Sequence, residues 1–145
     1  MPGAKDLRVW LSMVLMAVVA PALAADEEEK EKSFDCTFSQ GTTWSYEGGT
    51  FKSKPPAPLS FTITDIDLER QSAKLVTGDK TGALKIVRAL NANHFLEVVN
   101  EGFLNLTTVY DRDPATGVHP AVHSRHLGVL GQPVFAQYAG TCAAR

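Results

Sequence analysis

The chain has 145 residues, 14 basic and 16 acidic, for a net charge of −2 and a mean hydropathy of −0.07. These values suit one ordinary globular domain and exclude the basic footprint of a nucleic-acid-binding surface. Two cysteines exclude a disulfide-dense miniature scaffold and leave a single internal pairing.

At the N-terminus, Lys5 and Arg8 form a short basic region, followed by an apolar run from Val9 to Ala20 that only Ser12 interrupts. Pro21 then breaks any helix, and Ala22-Leu23-Ala24 places small residues where a signal peptidase reads. The run is well short of the ~20 residues that span a bilayer. The pattern predicts a signal peptide over residues 1–24, cleaved after Ala24. No cysteine adjoins that point for lipid attachment, so the expected product is periplasmic or secreted, without stable membrane insertion. Residues 25–33 follow as an acidic leader, with five acids and two bases between Asp26 and Lys32, and are expected to be disordered and solvated.

A single domain is expected over residues 34–145, built from short alternating runs separated by turn residues. Phe34, Cys36 and Phe38 alternate with Asp35 and Thr37, and Trp44 and Tyr46 repeat the spacing before a turn at Glu47-Gly48-Gly49-Thr50. The prolines at 55, 56 and 58 exclude a central strand there. Leu59, Phe61 and Ile63 form one strand face, and Ile66 falls out of phase, which predicts a bulge or the strand's end. Asp67 to Lys74 has room for one short helical turn. Ala73–Thr77 and Ala83–Leu90 flank a hairpin connection at 78–82, and His94–Val99 and Phe103–Tyr110 flank Asn100-Glu101-Gly102. On the last of these, Leu104, Leu106, Thr108 and Tyr110 share a face. A polar loop, Asp111–Pro120, precedes Ala121–Leu127. The final strand is Val134–Cys142.

Turn signals every 8–12 residues or so and no amphipathic helix predict an all-β fold of about eight strands. Cys36 and Cys142 lie near the two ends of this domain, each on an apolar face. In an up-and-down meander the first and last strands become neighbours only when the sheet closes. A disulfide between them therefore predicts a small antiparallel barrel stapled at its seam, with a flattened sandwich as the alternative. Closing a loop on the order of 100 residues assigns this bond a structural role in an oxidising compartment.

Candidate chemistry is sparse. His119, His123 and His126 would share a helical face. In a strand, however, His123 and His126 point to opposite sides and His119 falls in the preceding loop. No cysteine or acidic partner stands at ligand spacing, so no metal and no other cofactor is expected. Ser124 beside these histidines lacks a nucleophile elbow, Asp65, Asp67 and Glu69 lack the rest of a calcium loop, and Asn105-Leu106-Thr107 is a glycosylation sequon in mid-strand. The expected protein is not an enzyme. Aromatic residues are the better clue, with Trp44 and Tyr46 beside the Gly-Gly turn suited to a barrel mouth. The residues expected to contact a ligand are Trp44, Tyr46, Tyr110, His123 and Arg125.

The ending Gln137-Tyr138-Ala139-Gly140-Thr141-Cys142, with Ala121-Val122-His123-Ser124-Arg125-His126 before it, resembles small uncharacterised secreted bacterial proteins with a Q-Y-x-G-T-C terminus. That resemblance covers roughly the last 40 residues and implies a periplasmic location without an activity. Phe34-Asp35-Cys36 with Gly41 and Tyr46 more loosely resembles the opening strand of periplasmic inhibitors of C-type lysozyme, which are also small exported barrels. Their Ser-Gly-x-x-Tyr inhibitory loop has no counterpart here. The expected function is a non-catalytic binding module for a small, partly apolar ligand. The alternative is a protein-binding module, such as a hydrolase inhibitor or envelope-assembly factor, contacting an envelope protein through Lys54–Pro58 and Asp111–Pro120.

Overall fold

The computed structural model describes residues 31–99, 103–128 and 131–145. The signal peptide expected at 1–24, and all of the acidic leader before residue 31, lie outside the described residues.

Nine strands follow in order: β1 (Phe34–Glu47), β2 (Thr50–Lys54), β3 (Leu59–Asp67), β4 (Ser72–Thr77), β5 (Lys80–Arg88), β6 (Ala92–Val99), β7 (Phe103–Tyr110), β8 (His119–Leu127) and β9 (Val134–Ala144). Each neighbouring pair is antiparallel, and β1 also pairs with β9. Strands β1 and β3 to β9 thus form a closed eight-stranded meander, while β2 lies outside it as a hairpin arm on the far half of β1. Gly48 and Gly49 turn that hairpin with φ of 61° and 85°, as a two-residue turn with both central residues left-handed requires. Among the described residues no α-helix forms, and Asp67 to Lys74 makes a turn into β4.

The staple lies where the sequence places it. Cys36 and Cys142 are direct register partners across the β1–β9 seam, joined by a disulfide and no more than 2 % exposed. The inward positions Phe34, Cys36, Phe38, Phe61, Ile63, Leu84, Ile86, Phe95 and Val109 fill one connected core. Their burial is the main favourable term, at roughly 1.5–3 kcal/mol for each large apolar side chain.

Strand β1 corrects a simple reading of its alternation. Phe34, Cys36, Phe38, Trp44 and Tyr46 are all even-numbered, so a regular strand would bury all five. The register against β9 slips between Phe38 and Gln40, which is a β-bulge. Beyond it, Gly41 pairs with inward Tyr138 and Thr43 with inward Ala136, while Trp44 pairs with Phe135 on the outer face. The bulge turns Trp44 and Tyr46 outward.

Two further details depart from the sequence expectations. His119 opens β8, opposite Cys142, and points inward at 5 % exposure instead of lying in a loop. Residues 31–33, at the end of the expected disordered leader, are tied to the barrel: Ile66 N–H donates to Lys32 O, Ser33 Oγ donates to Ile63 O, and Arg145 N–H donates to Ser33 O. His119 completes that tie. Its Nδ1–H donates to Tyr110 O, and its Nε2 lies 2.7 Å from Glu31 Oε1.

Candidate functional site

Strand direction gives the barrel two unlike ends. At the base, where β8 begins, Phe34 packs edge-on against His119, and the disulfide is part of the buried core. At the mouth, where β8 ends and β3 begins, the interior is hollow. The loop Asp111–Val118 belongs to the base and Pro55–Pro58 to the mouth, so the two segments expected to share a protein contact lie at opposite ends.

The hollow has a volume of about 530 Å³. Its apolar wall comes from Leu59 and Phe61 on β3, Leu75 on β4 and Phe103 on β7. Lys80 stands at the exposed rim. On the other side three polar residues from consecutive strands form one row, for Glu97 on β6 pairs with Asn105 on β7, and Asn105 pairs with Arg125 on β8. One layer deeper, Thr107 pairs with His123, whose ring lies among Phe38, Phe61 and Tyr138 at centroid distances of 5.2–5.9 Å.

Each polar group has a defined state. Asn105 Nδ2 donates to Glu97 Oε2 at 2.8 Å, which orients the amide because a carboxylate can only accept. That leaves Asn105 Oδ1 without a partner on a side chain only 8 % exposed. Arg125 Nε is likewise buried without a partner. Gly82 on β5 makes room for the row, since a Cβ there would collide with Glu97 Oε1. His123 shares a 2.8 Å hydrogen bond with Thr107 Oγ1 through Nδ1. Burial first, and the Arg125 charge second, push its pKa down to about 4, so it is neutral at physiological pH.

A buried donor or acceptor without a partner costs roughly 1–3 kcal/mol. Asn105 and Arg125 line the cavity opposite its apolar wall, while these two atoms themselves are closed off from solvent. Of the residues expected to contact a ligand, His123 and Arg125 meet here. Trp44 and Tyr46 do not. Trp44 stacks on Phe135 at 5.0 Å and Tyr46 meets Phe51 at 5.0 Å, in an outer aromatic cluster that His126 joins against Phe135. Tyr110 is 40 % exposed at the base, where its carbonyl accepts from His119 Nδ1. Leu104, Leu106 and Thr108 do share a face, but it is the outer one, and Asn105, Thr107 and Val109 face the interior.

Glu97 and Gly82 escaped the sequence reading as site residues, and Asn105 entered it only as part of a glycosylation sequon. The signal was available in the hairpin about Asn100-Glu101-Gly102, which sets Glu97 in phase with core residue Phe95 and pairs it with Asn105. Among the described residues no group of three or more His, Cys, Asp or Glu side chains is arranged to hold a metal ion. No family model, curated protein or solved structure matches the chain.

Proposed function

We propose that this protein is an exported, non-catalytic binding module that holds a small, partly apolar ligand in the mouth of its barrel. The observation that carries this reading is the cavity of about 530 Å³ at the barrel mouth, with Leu59, Phe61, Leu75 and Phe103 on one side and Glu97, Asn105 and Arg125 on the other. Closed barrels of this size place ligands at such mouths. Export is supported by the signal-peptide pattern of residues 1–24 and by the Cys36–Cys142 bond, which is compatible with an oxidising compartment.

The test is a titration with 1-anilinonaphthalene-8-sulfonate, an apolar anionic dye. Saturable one-site fluorescence is expected, and Leu75→Trp, which fills the cavity, should abolish it while the fold is retained by circular dichroism. Equal dye binding by both proteins, or none by either, would overturn the reading.

One observation favours a second reading, a protein-binding module. Tyr46 and Phe51 stand 39 % and 55 % exposed on the hairpin arm, beside the outer edge of β2. Exposed aromatic clusters of this kind are common in protein contacts. Dye binding that survived Leu75→Trp would move the assignment to this face.

A further inference from the structure

We propose that the mouth selects its ligand by charge, and that the ligand class is apolar organic acids with one anionic head. The inference rests on the cavity reading above and adds the sign of the ligand.

Strand register carries one inward row from the cavity out onto the hairpin arm. Asn105 on β7 pairs with Arg125 on β8, Arg125 with Ala136 on β9, Ala136 with Thr43 on β1, and Thr43 with Lys54 on β2. Asn105 and Ala136 are buried, so Arg125 between them faces the interior. Behind burial, its charge is the second cause of the lowered His123 pKa, which sets the guanidinium close to that buried ring. On the arm, Trp44, Tyr46 and Phe51 take the outer face, which leaves Thr43, Ser45, Lys52 and Lys54 on the inner one. Lys80 stands at the rim of the same opening.

The acids at this end do not balance these cations. Glu47 accepts from Ser45 Oγ at 2.8 Å and pairs with Lys52 at 3.6 Å. Glu97 accepts from Asn105 Nδ2 through Oε2, and its Oε1 lies against Gly82. Asp79 stands in the exposed turn between β4 and β5, outside the cavity lining. Among the described residues Arg125, Lys54 and Lys80 take part in no ion pair. The effect is greatest at Arg125, which is half-buried opposite an apolar wall, where water screens a charge least.

A cation entering the cavity would meet Arg125 and Lys80, while Glu97, the acid of the lining, is already hydrogen-bonded. A neutral molecule would leave the Arg125 charge uncompensated. An acid turns its anionic head toward Arg125, within the field of Lys54 and Lys80, and lays its apolar body against Leu59, Phe61, Leu75 and Phe103. Cations around a low-dielectric opening also draw such a ligand in from solution. The cavity of about 530 Å³ accommodates a body as large as an aromatic ring.

The test uses N-phenyl-1-naphthylamine, an uncharged fluorescent dye, so that the reporter does not itself depend on charge. Three compounds of one shape compete with it: 3-phenylpropionate is an anion, 3-phenylpropionamide is neutral and 3-phenylpropylamine is a cation. On the unmodified protein the acid should bind at least about tenfold more tightly than the amide, the worth of one charge-assisted hydrogen bond, and the amine most weakly. Added salt should weaken the acid alone. Arg125→Met, which removes the charge and keeps the stem, should bring the acid to the level of the amide, whereas Arg125→Lys should retain the preference. If the amide or the amine binds as tightly as the acid, or if the preference survives Arg125→Met, the charge assignment falls and the cavity reading stands. The same holds if none of the three displaces dye that Leu75→Trp excludes. If dye binding does not respond to Leu75→Trp, both readings fall.

Discussion

Thr107 Oγ1 and His123 Nδ1 share a 2.8 Å hydrogen bond between register partners inside the barrel, and the burial that encloses this pair couples stability to pH through His123. His123 is 3 % exposed, and burial followed by the nearby Arg125 charge brings its pKa from 6.5 to about 4. The folded pKa lies below the unfolded one, so between these values the unfolded chain binds more protons. Stability is complete above about pH 6.5 and declines as pH falls toward about 4, by about 3 kcal/mol in all. Urea denaturation at several pH values across this window should show that loss. His123→Gln, which cannot titrate, should flatten the profile over the same range, and an unchanged slope would remove His123 as its source.

The second prediction concerns the seam. Cys36 and Cys142 are 106 positions apart and close nearly the whole domain into one loop. The chain-entropy model assigns about 4–5 kcal/mol to a loop of this length, and measured values are often lower. The double variant Cys36→Ala/Cys142→Ala should lose at least about 2 kcal/mol in urea denaturation while keeping its β-sheet circular dichroism. A variant as stable as the parent would show that hydrogen bonding between β1 and β9 holds the seam unaided.

Gly140 supports the same seam by a different route. A Cβ there would collide with Thr37 O and Phe38 Cα, which are backbone atoms beside the β1 bulge and cannot swing away. Within the ending that suggested a resemblance, Tyr138, Gly140 and Cys142 are alternate residues of β9 whose partners face the barrel interior. The glycine permits close approach of the strands, the cysteine locks it, and the tyrosine packs beside His123. Gly140→Ala should cost at least about 2 kcal/mol, at the upper side of overpacking effects because backbone must move. Gly128→Ala, where nothing lies within 4 Å, should be close to neutral. Equal thermal midpoints for the two variants would refute the close-approach argument.

The sequence made the barrel legible because its closing evidence is local. Turn residues delimit the hairpins, and both cysteines fall on apolar faces, so sheet closure follows from the staple. The site was less legible, for two physical reasons. A bulge after Phe38 reverses the phase of β1, so Trp44 and Tyr46 read as inward while the fold exposes them on the outer face. At the mouth the usual sense of alternation also reverses: β7 turns Leu104 and Leu106 out and Asn105 and Thr107 in. The polar row Glu97, Asn105 and Arg125 lines the cavity, and apolar periodicity follows the wrong face there. Arg125 and His123 were within reach because β8 is regular. Strand β2 escaped because all five of its residues are exposed, which leaves no core-facing pattern.

The outward placement of Trp44 gives the last prediction, which separates the two faces of the sheet. Its ring stacks on Phe135 at 5.0 Å with planes 12° apart, across a β1–β9 register pair. Such pairs contribute about 0.5–1.5 kcal/mol beyond area burial. A double-mutant cycle with Trp44→Ala and Phe135→Ala should return a coupling of that size in urea denaturation. The cavity lies on the opposite side of this sheet and contains neither ring. Binding of 1-anilinonaphthalene-8-sulfonate in the cavity should therefore be unchanged in Trp44→Ala and weakened in Arg125→Ala. If Trp44→Ala abolished dye binding while Arg125→Ala spared it, the binding surface would be the outer aromatic cluster, and the bulge would have turned these aromatics toward their ligand.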